Sequence, residues 1–340
     1  MMVEFSKKLQ KLPPYFLARI NALKMEAYQK KLDVIDLGMG NPDLPTPPHI
    51  VDRLCETVRD NPRTHRYPQA KGMPKFRSAV SEWFDKRFGV SINPDKEVLA
   101  LIGSKEGIAH LCMALLNPGD IALVGNPGYP VHFNGVYLAG GKVHYVPLKP
   151  ENNFLPDLAA IPEKIARKAR LLIINYPNNP TAAVVDDLQF FKEVVAFAKK
   201  YNIVVVHDNA YSEITFDGYE APSFMQVPGA KDVGIEFFSF SKTYNMAGWR
   251  TGFAVGGEKL IAPLEKLKSF LDYGVPTFIQ LAAIWALKSP QDCVRQTVLT
   301  YQKRRDYMIA GFERMGWHVP KPKATMYLWA EIPKQFKKMG

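Results

Sequence analysis

The chain has 340 residues, 47% of them apolar, and a formal charge of +11. That length and composition exclude intrinsic disorder and leave a globular protein with one large core or two smaller ones. There is no run of 18 apolar residues, the opening MMVEFSKKLQKLPPY lacks the apolar stretch of a secretory leader, and Cys55, Cys112 and Cys293 show no metal-ligand spacing, so the expectation is a soluble, cytoplasmic protein with reduced thiols, no membrane span and no metal.

The basic residues are spread along the chain, and the densest run, Lys164, Arg167, Lys168 and Arg170, has the spacing of a solvated helix face. This argues against a nucleic-acid partner and for a positive field that concentrates small anions. Near the N-terminus, LPPYFLARINAL at Leu12–Leu23 reads as a helix with Pro13 and Pro14 at its start, and VIDLGMGNPD at Val34–Asp43 as a short strand ending in Gly38 and Gly40. Asn41-Pro42 then stands where a dinucleotide fingerprint would open its helix, which disfavours a dehydrogenase.

Helical periodicity covers Pro47–Arg59 and Pro74–Phe88, with Phe76, Val80, Trp83 and Phe84 on one face of the second; THRYPQAKG at Thr64–Gly72 reads as a loop between them. A strand at Val98–Ile102 turns at Gly103, Ser104 and Lys105 into an apolar helix. Strand, glycine and helix N-terminus together suit a phosphate, because the first amides of a helix have no internal partner. Further strand-like runs are Ile121–Val124, Lys142–Leu148, Leu171–Pro177 and Ile203–Tyr211, with an amphipathic helix at Leu188–Lys200 before the last. Continuous Val and Ile runs separated by helices predict a mostly parallel sheet covered on both faces, with functional residues at the carboxyl ends of its strands. Helices are expected at Lys259–Tyr273 and Gln291–Met315, an apolar segment at Phe278–Leu287, and a strand at Pro322–Pro333.

The stretch Phe237–Gly257, FFSFSKTYNMAGWRTGFAVGG, concentrates the chemistry. An apolar run breaks into Ser239, Ser241 and Lys242, and Arg250 follows eight residues later before a second apolar run. A forked guanidinium and two short hydroxyls suit a phosphate oxyanion, which leaves Lys242 as the reactive amine.

With YPNNPTAA at Tyr176–Ala183 and HDNAY at His207–Tyr211, this SFSK segment resembles the fold-type I aminotransferases, which use pyridoxal phosphate. The resemblance implies an α/β fold with a mostly parallel seven-stranded sheet flanked by helices, and a smaller α+β domain that is incomplete here. It implies domains at 1–43 (an N-terminal segment of the small domain), 44–288 (the large cofactor-binding domain) and 289–340 (a connecting helix and the start of the small domain). It implies that Lys242 forms the Schiff base and moves the proton, that Asp208 pairs with the ring nitrogen supported from behind by His132, and that Asn179 and Tyr211 donate to the ring oxygen. Tyr129 would lie against the ring, Gly103, Ser104, Lys105, Ser239, Ser241 and Arg250 would hold the phosphate, and Gly40 and Asn179 would meet the substrate. Tyr67 would reach the phosphate of a second copy, which makes a homodimer the expected unit.

Segments such as IGSKEGIAHL, KTYNMAGWR and PKATMYLWAEIP are similar to those of the bacterial glutamate:pyruvate branch, so alanine transamination is the expected activity; the aspartate and LL-diaminopimelate branches share most of these motifs. A C–S lyase with the same cofactor residues is the rival from another reaction class. Two departures are visible. Ala182 replaces the glycine of the family's Asn-Pro-Thr-Gly, from which no positive φ is expected there, and the family's arginine for the substrate carboxylate has no match before Gly340, as if the chain were truncated.

Overall fold

The short Val, Ile and Leu runs are the strands of the computed structural model, which describes residues 4–13, 16–38 and 40–337. They are β1 (Val98–Leu101), β2 (Ile121–Asn126), β3 (Lys142–Pro147), β4 (Ala169–Asn175), β5 (Val204–Asp208), β6 (Gly234–Ser239) and β7 (Gly252–Gly256). They form one seven-stranded sheet in the order β1-β7-β6-β5-β4-β2-β3. All neighbours are parallel except the two pairs made by β7, which runs against both β6 and β1. β7 is thus inverted, and its starting edge lies beside the carboxyl ends of the others.

Both faces of the sheet are covered, which is why its strands carry apolar runs rather than alternation. On one face Leu101, Leu171, Ile173, Val206 and Phe237 pack with residues of the helices Ser104–Leu115, Pro130–Leu138 and Glu258–Leu271. On the other, Ala100, Leu172, Ile174, Val205 and Phe238 meet the helices Pro74–Phe88, Gln189–Tyr201 and Thr277–Lys288. The helix Pro74–Phe88 buries Phe76, Val80, Phe84 and Phe88, while Trp83 sets its ring edge-on to Phe238. Among the described residues no helix is long and apolar enough to cross a membrane.

A long helix, Asp292–Arg314, follows these layers and is tied back by Arg305, whose guanidinium bonds Asp217 and the Pro322 carbonyl (both 2.8 Å). The segment after it corrects the expectation of a strand at Pro322–Pro333. Only an isolated bridge forms there, between Thr215 and Ala324, because Ile214–Phe216 offers a partner for three residues and Thr325 then turns to φ +74°, out of the extended region. Val34–Asp43 is likewise no strand in its described residues. Among the described residues no strand pairs with it, and Ile35 and Leu37 are 81% and 71% exposed. At the N-terminus the helix runs Phe16–Gln29, and Pro14, expected at its start, lies outside the described residues, as does Gly340.

Candidate functional site

The carboxyl ends of β4, β5 and β6 and the start of β7 face one edge of the sheet, so the loops leaving them converge. β5 ends on Asp208, and Tyr211 follows three residues later. The Asp208 Oδ2 is 3.0 Å from His132 Nε2, and Asn175, the last residue of β4, donates from its amide to the Asp208 carbonyl (2.7 Å). The other carboxylate oxygen, Oδ1, is buried and has no hydrogen-bond partner among the described residues. A carboxylate desolvated in this way is costly unless a donor faces it. The orphan oxygen therefore marks where an N–H of a ligand fits.

Lys242 lies beyond β6 in the helical turn Phe240–Thr243, which Ser239 caps by accepting from the Ser241 amide (3.1 Å). Its ammonium donates to the Gly40 carbonyl (2.8 Å). Burial, helped by the charge of Arg250, lowers the Lys242 pKa to about 8. A lysine in that range supplies free amine near neutral pH, which a nucleophile or proton carrier requires.

Arg250 and Gly103 meet at the adjoining end. Gly103 has φ +79°, a conformation that favours glycine, and a Cβ added there would come within 2.6 Å of an Arg250 guanidinium nitrogen, which would have to move aside. Ser104 opens the helix Ser104–Leu115, and Lys105 is exposed in its first turn. A helix start beside a guanidinium suits an anion, because the first amides of a helix have no intrahelical acceptor and the helix dipole adds positive potential. In the same turn Glu106 accepts from the Ile102 amide (2.9 Å), and its charge is offset by the buried Lys268 (3.0 Å). Glu106, His110 and Asp272 have metal-ligand spacing, but the Lys268 ammonium sits among them, 2.9 Å from Asp272.

Asn179 and Tyr211 are brought together through a residue the sequence reading passed over. The Asn179 amide donates to the Tyr327 hydroxyl (3.2 Å), which lies 2.6 Å from the Tyr211 hydroxyl. Burial holds the Tyr211 phenol well above its ordinary pKa. At Gly40 a Cβ would stand 2.5 Å from the Tyr327 hydroxyl, so the missing side chain leaves room for that ring. Tyr129 is half-buried and meets His132 edge-on (5.8 Å between centroids). Tyr67 stands apart, 89% exposed beside Tyr273, and within one chain joins none of the others.

Ala182 corrects a sequence expectation, since it has φ +58°. The tight loop closes through Ala182 N to Asn178 O (3.0 Å) and Asn178 N to Ala183 O (2.8 Å), which forces the left-handed turn. Ala182→Gly is expected to stabilise the chain by up to about 1 kcal/mol, the relief of left-handed strain less the added freedom of the unfolded chain. Urea denaturation midpoints for the two proteins check this, and a lower midpoint for the glycine variant would contradict it.

Asp208 with its open oxygen, the lowered Lys242 and the anion site at Gly103 and Arg250 fit a ligand with a protonated ring nitrogen, a reactive carbonyl and a phosphate. Pyridoxal phosphate has these three groups. The family model for aminotransferase class I and II matches residues 32–339. The chain is 51% identical to an LL-diaminopimelate aminotransferase of Moorella thermoacetica, over 97% of this chain and 84% of that protein. It is 48% identical to the glutamate-pyruvate aminotransferase AlaC of Escherichia coli, over 98% of this chain and 80% of that one. The solved structure of substrate-bound BacF from Bacillus subtilis superposes with a TM-score of 0.94 at 41% identity, covering 99% of this chain and 85% of that chain.

Proposed function

The chain belongs to the class I and II aminotransferases and is a pyridoxal-phosphate-dependent transaminase; from that premise we propose that it transfers the amino group of glutamate to pyruvate, yielding alanine and 2-oxoglutarate. The observation that carries the catalytic reading is the unpartnered buried oxygen of Asp208 together with a lysine whose pKa is lowered to about 8. Bound pyridoxal phosphate supplies the electron sink that makes the α-hydrogen of an amino acid acidic, and it carries the amino group between two half-reactions.

The chain's own residues set the conditions for that chemistry. Asp208 would hold a proton on the ring nitrogen; His132 fixes its carboxylate from behind, and Asn175 holds its backbone carbonyl. Lys242 would hold the carbonyl carbon and, as the free amine, take the α-proton and return it. Asn179 and Tyr211 would donate to the ring oxygen, Tyr129 would lie against the ring, and the Gly103–Lys105 turn with Ser239, Ser241 and Arg250 would hold the phosphate.

Similarity to AlaC over 98% of the chain supports the alanine reading. A second reading, transfer from LL-diaminopimelate to 2-oxoglutarate, is favoured by the 51% identity to the Moorella enzyme. Initial rates with glutamate plus pyruvate and with LL-diaminopimelate plus 2-oxoglutarate decide between them. The substrate pair with the higher kcat/KM names the enzyme, and ammonia release from cystathionine without amino transfer would instead identify a lyase.

We further propose a homodimer in which Tyr67 completes the partner's site. Its support is the exposed aromatic pair that Tyr67 forms with Tyr273, 5.6 Å between ring centroids. Light scattering should give twice the 38.4 kDa chain mass. Mixing inactive Lys242→Ala subunits with impaired Tyr67→Phe subunits should raise activity above the unmixed sum, since one site per mixed dimer is then intact. No gain on mixing would place Tyr67 outside the shared site.

A further inference from the structure

We propose that Tyr327 is a positioning residue of this site, whose hydroxyl, held by the amide of Asn179, turns the hydroxyl proton of Tyr211 toward the bound cofactor. The inference rests on the reading of Asn179 and Tyr211 as contacts of the cofactor's ring oxygen. An amide nitrogen can only donate, so the 3.2 Å contact from Asn179 makes the Tyr327 oxygen an acceptor. The Tyr327 and Tyr211 oxygens are 2.6 Å apart and share one proton. An oxygen that already accepts a hydrogen bond becomes a stronger donor, so Tyr327 gives its proton to Tyr211. The Tyr211 proton is thereby left for a third group, and the chain of donation runs Asn179, Tyr327, Tyr211, ligand.

The backbone fixes this geometry. The Ile214 amide bonds the Tyr211 carbonyl (3.0 Å), and from the next turn Thr325 donates to the Ile214 carbonyl (2.8 Å) and Phe216 to the Lys323 carbonyl (2.8 Å). Tyr327 in turn bonds Thr325 Oγ1 through its amide (3.2 Å). The loop that bears one hydroxyl thus holds the segment that bears the other. Gly40 leaves room for the Tyr327 ring, and the two tyrosine rings meet at 74° with 5.6 Å between centroids.

Tyr327→Phe keeps the ring and its packing and removes only the hydroxyl. In the cofactor-loaded protein, loss of a donated hydrogen bond disfavours the anionic ring oxygen, so the pH midpoint of the visible band should rise by about one unit. The kcat should fall about tenfold with KM changed less than threefold. Tyr211→Phe should raise the midpoint as well, and the double variant should shift no further than Tyr211→Phe alone, because Tyr327 acts through Tyr211. A wild-type band with an unchanged midpoint in Tyr327→Phe, or shifts that add in the double variant, would overturn this role while leaving the cofactor reading intact. A wild type with no visible band after added pyridoxal phosphate would overturn both.

Discussion

Lys242→Met is expected to abolish amino transfer and the visible absorbance that pyridoxal phosphate gives the wild type, yet to leave the cofactor-free chain more stable at pH 7. Activity and stability separate here because the lysine is held where its charged form is disfavoured. Its pKa falls from the ordinary 10.5 to about 8, through burial first and the Arg250 charge second. The folded-state pKa therefore lies below the unfolded one. Between about pH 8 and 10.5 the unfolded chain keeps a proton that the folded chain has released, so stability rises with pH across that window.

Below pH 8 the full cost of the buried ammonium is present. Allowing for its partial exposure and for its bond to the Gly40 carbonyl, methionine should recover about 1–2 kcal/mol at pH 7. Urea denaturation of both cofactor-free proteins at pH 7 and pH 10.5 measures the gap. It should close at the higher pH, and a gap independent of pH would show that the amine titrates normally. Retained amino transfer in Lys242→Met would remove the residue from the chemistry altogether.

The sheet was legible because a strand buried on both faces must be apolar throughout, and β4 and β5 announce themselves as LLII and VVV. The exceptions inside those strands satisfy one another. His207 and Glu236 are fully buried on paired positions of β5 and β6, joined at 2.9 Å, with Asn209, Ser223 and the Phe224 amide completing the carboxylate. From sequence alone His207 belongs only to a motif; its partner 29 residues away appears once the strands pair.

Asn179, Asp208 and Lys242 stand out in the sequence for a related reason, since polar residues directly after apolar runs fall at strand ends; Arg250 instead precedes an apolar run, at the start of the inverted β7. Tyr327 does not stand out. MYLW reads as more strand, and nothing local signals that the β-branched Thr325 adopts φ +74° and redirects the chain toward Tyr211. Gly40 shows the same limit, because the need for glycine there arises from a ring nearly 300 residues later in the chain. Asn175 did leave a trace: an amide at the end of a buried strand needs partners, and it finds the carbonyl of Asp208 and the amide of Asn179.

Asp208→Ala should leave cofactor binding largely in place while cutting the amino-transfer rate by on the order of 10²- to 10³-fold or more, the scale for removing one preorganised electrostatic contact. The proposed phosphate site at Gly103 and Arg250 and the amine of Lys242 do not involve this side chain, so affinity should survive. What would be lost is the anion proposed to face the ring nitrogen. Asp208 Oδ2 is already engaged by His132, which leaves the buried Oδ1 as the one carboxylate oxygen able to keep a proton on the ligand. Without it the ring nitrogen would lose its proton near neutral pH and draw less charge from the α carbon. The α-deuterium exchange rate of alanine reads this step directly, and it should fall with the overall rate while the dissociation constant of pyridoxal phosphate changes far less. Asp208→Glu, which restores a carboxylate at a displaced position, should recover part of the loss. Near-normal exchange in Asp208→Ala would mean that the orphan oxygen serves no bound ring, and the assignment of this carboxylate would fall with it.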